Sequence, residues 1–175
     1  MTRSPSYWLK QTGTGVSTAV GPIHFATDRV LAAATRATRV LELGAALGYT
    51  ACWFAHAYPA SHVETVERDP KHVALARQNL ARFGFADRVN VIGADFDETL
   101  TQLEPGYDLA FFDGYAPTSD QLNALRGLLR LRGVLVSANL DLVETSSVRE
   151  MLDDTSRWLT ASMLEGGRTF VSVVV

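Results

Sequence analysis

VLELGAALGYT, residues 40–50, begins as an apolar run and ends at two glycines, Gly44 and Gly48. Val40, Leu41 and Leu43 read as a buried strand, and Tyr49 and Thr50 open a helix. A glycine at such a junction has an ordinary reading, because it supplies backbone conformations that other residues avoid. It also has a sharper one, a ligand lying against the backbone at a helix N-terminus. Glu42, an acid inside the apolar run, belongs to the same question. The stretch alone is compatible with both readings.

The flanking sequence sets the context. An irregular leader rich in Gly, Ser, Thr and Pro occupies residues 1–22, and the domain proper is expected over 23–175. The pattern predicts helices over 23–38, 49–58 and 70–83, with Asp69 as cap, Pro70 in the first turn and Gly84 after the end of the third. Strands are predicted at 39–43, 62–66, 89–92, 107–112 and 133–137, with helices at 97–103, 119–130 and 144–154 between and after them. The strand at 107–112 is apolar on both faces after Asp108, as a central parallel strand should be. Two strand-like runs around Gly166 and Gly167 read as a closing hairpin. This alternation predicts an α/β fold: a doubly wound, Rossmann-like, mostly parallel sheet with an antiparallel C-terminal hairpin. Ligands bind such sheets at the carboxyl ends of the strands, where the opening stretch lies.

Bulk properties narrow the class. The chain has 175 residues, is 47% hydrophobic and 20% charged, and carries a net charge of -3. That is one ordinary globular domain, with no electrostatic reason to expect a nucleic-acid partner. Cys52 is the sole cysteine, which excludes an intrachain disulfide and fits a reducing, cytoplasmic setting. Its apolar helical surroundings favour a buried structural thiol. No uncharged apolar run is long enough for a membrane span.

Four strand ends carry distinctive residues: Glu42 with Gly44 and Gly48; Glu67 in ETVERDP; Asp95 and Phe96 in GADFDE; Asp113 and Tyr115 in FFDGYAP. A carboxylate at the second tip, Glu67, suits the two vicinal hydroxyls of a ribose. The dinucleotide fingerprint G-x-G-x-x-G fails, since Ala46 and Tyr49 occupy its second and third glycine positions. No pyrophosphate is therefore expected. Asp95 and Phe96 suit an adenine, one as acceptor for the exocyclic amine and the other as a ring against its face.

Taken in this order, VLELGAALGYT, ETVERDP, GADFDE, YDLAFFDGYAP, LLRLRGVLVSANL and the hairpin resemble class I S-adenosylmethionine-dependent methyltransferases. Within them the chain is most similar to the O-methyltransferases that include the catechol and caffeoyl-coenzyme A enzymes. The resemblance implies a seven-stranded sheet with a reversed last strand and S-adenosyl-L-methionine as cofactor. It implies that Val20 touches the cofactor, that Gly44 and Gly48 let the methionine part lie against the loop beside Glu42, and that Thr50 binds its carboxylate. Glu67 then holds the ribose, Asp95, Phe96 and Tyr115 surround the adenine, and Asp113 also touches the cofactor.

The resemblance also has gaps. The catechol-type enzymes hold a divalent cation with an Asp and a later Asp-Asn pair. Here Asp113 and Asn139 match, but Ala138 stands at the middle ligand, and Asp141 is displaced. Ala116 stands where the family has its substrate-facing lysine. Metal-independent chemistry is expected, with His24 and Asp113 as candidate bases and Tyr115 as an orienting group. DGYAP lacks the Asn/Asp-Pro-Pro-aromatic motif of amino-group methyltransferases, which favours a small-molecule hydroxyl or carboxylate as acceptor. Two competing functions are aminopropyl transfer from the decarboxylated cofactor and non-catalytic cofactor binding. The leader is shorter than the family's helical cap, so a homodimer is expected, with Tyr7 and Trp8 as interface aromatics.

Overall fold

A computed structural model describes residues 22–140, 146–164 and 168–175. Among them the order is α1 (Pro22–Thr35), β1 (Arg39–Leu43), α2 (Tyr49–Ala57), β2 (His62–Glu67), α3 (Pro70–Phe83), β3 (Val89–Gly93), α4 (Phe96–Leu100), β4 (Tyr107–Phe112), α5 (Ser119–Leu128), β5 (Leu129–Ser137), α6 (Ser146–Asp153), β6 (Trp158–Leu164) and β7 (Thr169–Val174). The strands form one sheet in the order β3-β2-β1-β4-β5-β7-β6. Adjacent pairs from β3 through β5 are parallel. β7 runs antiparallel to both β5 and β6. Since β7 lies between them, β6 points the same way as the parallel strands, and the expected hairpin contributes the one reversed strand.

Side-chain alternation explains the three layers. Along β1, β4 and β5 successive residues point to opposite faces, and both faces are apolar. Val40, Leu109, Phe111, Val134 and Val136 join one cluster with Ala32 of α1, Cys52 and Phe54 of α2, and Ala76 and Leu80 of α3. Leu41, Leu43, Ala110, Phe112 and Leu135 join the other with Leu100 of α4, Leu122 and Leu125 of α5, and Leu152 of α6. All six residues of β4 are buried. Helices thus cover both faces, as predicted for a doubly wound sheet. No helix among the described residues is long and apolar enough to cross a membrane.

The boundaries follow local chemistry. Asp69 caps α3 by accepting from Lys71 N, Pro70 takes the first turn, and Gly84 closes the end with its N–H returned to Ala81 and Leu80. α5 ends earlier and β5 begins earlier than predicted, at Leu129 instead of Gly133. The apolar spacing of Leu125, Leu128, Leu129 and Leu131 continues a helical period, so the sequence pattern runs past the true break. The β4–β5 register shifts between Tyr107 and Leu109, and Arg132 is left-handed at φ 64, so this first part of β5 is an irregular strand.

Asp108 ties the amino ends together. One carboxylate oxygen accepts from Thr38 N at 2.6 Å, Thr38 Oγ1 at 2.7 Å and Arg39 N at 3.0 Å. The other pairs with Arg130. Burial alone would raise the Asp108 pKa, but the hydrogen bonds from Arg39, Arg130 and Thr38 outweigh it and hold the carboxyl at about 2.

Candidate active site

The sheet order reverses between β1 and β4, and a cleft of about 240 Å³ opens at the carboxyl ends of the strands there. That is where an open α/β sheet leaves a crevice. Gly44 and Ala46 line it from the loop after β1, Glu67, Arg68 and His72 from β2 and the start of α3, Asp95 and Phe96 from the loop after β3, and Asp113, Gly114 and Tyr115 from the loop after β4.

Two backbones meet at the base of this cleft. Gly44 has φ +111, and a Cβ placed on it would stand 2.7 Å from the carbonyl oxygen of Asp113. Only glycine meets both demands. Gly44 N and Ala45 N both donate to Val66 O, and Asp113 N donates to Leu43 O. The loops after β1 and β4 are therefore sewn to neighbouring strands. Gly48, left-handed at φ 80, caps α2, and its neighbour is Ala76 of α3 rather than the cleft.

Glu67 is the best-fixed acid at the mouth. Its Oε2 accepts from Ala46 N at 3.0 Å and its Oε1 from Asp69 N at 2.9 Å. A carboxylate has about four acceptor positions, so two backbone donors orient it and leave capacity for a ligand. His72 Nδ1 is 3.9 Å from Oε2.

An aromatic wall stands across from it. The rings of Phe96 and Tyr115 stack at 5.3 Å and 15°, and each meets Phe112 edge-on. Phe96 lies so close to Gly114 that a Cβ there would be 2.4 Å from its ring. Tyr115 is 37% exposed, which leaves part of its surface open to the cleft. Its hydroxyl accepts from Gln121 Nε2 at 2.8 Å. Asp95, exposed, caps α4 by accepting from Asp97 N at 3.0 Å.

Of the candidate residues, Gly44, Glu67, Asp95, Phe96, Asp113 and Tyr115 come together in this one cleft. Glu42 does not line it. It is fully buried within β1 and accepts a short hydrogen bond from Thr65 Oγ1 on β2. Gly48 and Thr50 sit at the start of α2, outside the lining. Val20 and Asp141 lie outside the described residues, as does the side chain of His24. Arg68, His72 and Gln121 were not singled out. Arg68 and His72 fall just after a strand tip and in the first turn of the next helix, a placement that faces the same mouth. Gln121 was visible only as the last residue of TSDQ, a capping-box pattern.

Of the divalent-cation site of catechol-type enzymes, Asp113 and Asn139 stand side by side, with Ala138 at the place of the middle ligand. Asn139 turns its amide nitrogen, not its oxygen, toward Asp113 Oδ1 at 3.0 Å. Ala138 is fully buried. No group of three His, Cys, Asp or Glu able to hold a metal occurs among the described residues. Cys52 is also no nucleophile: burial, helped by the nearby Glu42 charge, pushes its thiol up to about 12.

The seven-stranded sheet with its single reversed strand, and the cleft at its switch point, define a Rossmann-like domain. Residues 41–138 match the family described as a methyltransferase domain, so the chain belongs to that family. It is 45% identical over 86 residues to a catechol O-methyltransferase of Mycobacterium tuberculosis, a match covering 48% of this chain and 39% of that protein. It is 31% identical over 147 residues to a catechol O-methyltransferase of Niastella koreensis, covering 81% of this chain and 63% of the relative. The chain thus spans less than two thirds of the length of each of these curated relatives. A solved O-methyltransferase from Bacillus cereus in complex with SAH has the same fold, with a TM-score of 0.77 at 23% identity over 91% of this chain and 84% of that one.

Proposed function

We propose that this domain transfers a methyl group from S-adenosyl-L-methionine to an oxygen of a small molecule, without a divalent metal. The observation that carries the reading is the meeting of Glu67, Asp95, the Phe96–Tyr115 stack and Asp113 in one cleft, in a chain of the methyltransferase-domain family. When bound, the cofactor supplies an electrophilic methyl group on a sulfonium and leaves as the thioether S-adenosylhomocysteine. Glu67, held by Ala46 and Asp69, accepts the ribose hydroxyls. The oxygen of Asp95 not engaged by Asp97 N accepts the exocyclic amine of the adenine, and Phe96 and Tyr115 pack on its ring. Gly44 and Gly48 keep the first loop low enough for the methionine part.

Methyl transfer draws much of its rate from in-line alignment of the two reactants. As the acceptor oxygen bonds to the methyl carbon, its proton must pass to a base. Asp113 is the base the geometry favours, half-buried beside the cleft and oriented by the Asn139 amide; His24 is the other candidate. Asp113 in the lining suits a hydroxyl acceptor, whose proton needs a base; a carboxylate acceptor would carry none. A homodimer would complete the cover of this cleft, and a net charge of -3 suits a small-molecule rather than a nucleic-acid acceptor.

The test is calorimetry with S-adenosylhomocysteine, followed by label transfer from methyl-labelled cofactor to catechols, phenols and aromatic acids. Binding together with label in an ether or ester product supports the reading. Preference for the decarboxylated cofactor would instead support aminopropyl transfer. Binding with no transfer to any acceptor would support a non-catalytic binder.

A further inference from the structure

Gln121 lies on α5, outside the cleft lining, yet its side chain touches three separate segments. It is 2% exposed. Its Oε1 accepts from Thr118 N at 3.1 Å. Its Nε2 donates to Asp97 Oδ1 at 2.7 Å and to the Tyr115 hydroxyl at 2.8 Å.

The polarity of this amide is fixed by its neighbours. A backbone N–H can only donate, so the Thr118 contact must be the amide oxygen. An ionised carboxylate can only accept, so the Asp97 contact must be the amide nitrogen. The second N–H then faces Tyr115, whose oxygen is the acceptor and whose own proton is left for another partner. A buried amide with both N–H groups engaged locks the groups it joins, because removing it leaves polar atoms unpaired. What it locks is a ring that stacks on Phe96 and closes one side of the cleft.

We infer that Gln121 is a positioning residue for the nucleoside end of the cleft, acting through the Tyr115 hydroxyl. The inference rests on the cofactor reading above and adds to it a residue that never contacts the ligand. Three segments depend on it: the start of α4 through Asp97, the loop after β4 through Tyr115, and the start of α5 through Thr118. Its alternative role is that of a helix cap alone.

Gln121→Glu separates the two roles. Glutamate keeps the acceptor for Thr118 N and completes a capping box equally well, but once ionised it cannot donate to Tyr115 or Asp97. Affinity for S-adenosylhomocysteine, measured by calorimetry at neutral pH, should fall by ~10-fold or more. The KM for the cofactor should rise in step, while kcat at saturating cofactor stays within about 3-fold, the pattern of lost ground-state binding. A cap alone predicts unchanged affinity, and that result would overturn the proposal. Repulsion from Asp97 is controlled by a second measurement, Gln121→Met made alone and in the Tyr115→Phe background. If Gln121 acts through the hydroxyl, the Met substitution costs affinity in the native background and nothing further beside Tyr115→Phe. Additive losses would overturn the proposal even if Gln121→Glu failed to fold. If the unsubstituted chain takes up no S-adenosylhomocysteine, the cofactor reading itself fails, an outcome distinct from either.

Discussion

The two ends of the sheet use acids in opposite ways. At the amino ends, Asp108 is surrounded by donors from Thr38, Arg39 and Arg130 and is 8% exposed. At the carboxyl ends, Glu67 and Asp95 each accept backbone N–H groups that orient them, and both line an open cleft. The larger cavity is at the wrong end: about 320 Å³ between Arg39, His62, Glu64 and Arg88, against about 240 Å³ at the carboxyl ends. Arg39 and Arg88 there are occupied with the carbonyls of Pro105, Glu104, Ala55 and Pro59. A saturated acid is a structural tie, and an oriented acid with acceptor capacity left over is a site. Volume does not separate the two.

The contrast breaks most visibly at Gly44. Gly44→Val adds a strained left-handed backbone and a collision with the Asp113 carbonyl, which together should cost ~2–5 kcal/mol of stability. Urea unfolding measures it, and a loss below ~1 kcal/mol would mean that the two loops are not packed as described. Next in size is Glu67→Ala. Removing a charged acceptor should weaken S-adenosylhomocysteine by ~1.5–3 kcal/mol in calorimetry. An unchanged affinity would remove the ribose assignment.

Asp108→Asn tests the opposite end and should leave cofactor affinity alone. The folded pKa of Asp108, about 2, lies below its ordinary 3.8. Its contribution to stability, on the order of 2 kcal/mol, is therefore fully present above pH 3.8 and lost as pH falls through about 2. The stability gap between the native chain and Asp108→Asn should be full at neutral pH and close across that acid window. A gap that persists at the acid end would assign the effect to packing instead. The smallest expected effect is that of chelation. With Ala138 and Ala116 in place of a metal ligand and the lysine, turnover should change by less than about 2-fold in EDTA. Loss of activity restored by magnesium would show that Asp113 and Asn139 do hold a cation.

Much of the fold was legible because its signals are local. β1 and β4 are apolar runs, and α3 carries its own cap, proline and terminal glycine, so their limits were readable to the residue. The α5–β5 junction was not, since leucines at helical spacing continue past the break and only the left-handed Arg132 marks the irregular strand start. Within the site, Glu67, Asp95, Phe96, Asp113 and Tyr115 were readable as strand-tip residues. Glu42 was misplaced because a strand-interior acid beside a glycine loop looks the same in sequence whether it faces ligand or Thr65. The contacts of Gly44 with Asp113 and of Gln121 with Asp97 join residues far apart in the chain, and no spacing rule reaches that distance.

The position of β7 has a consequence for the order in which the molecule is made. Among the described residues, β6 hydrogen-bonds into the sheet through β7 alone, and β7 follows it in the chain. The β4–β5 pairing can form from residues that all precede β6, whereas β6 has no neighbouring strand among the described residues until β7 is seated. Trp158 on β6, fully buried in the finished domain, joins the sheet through that same pairing with β7. Until β7 is seated, the edge of β5 is open to mispairing.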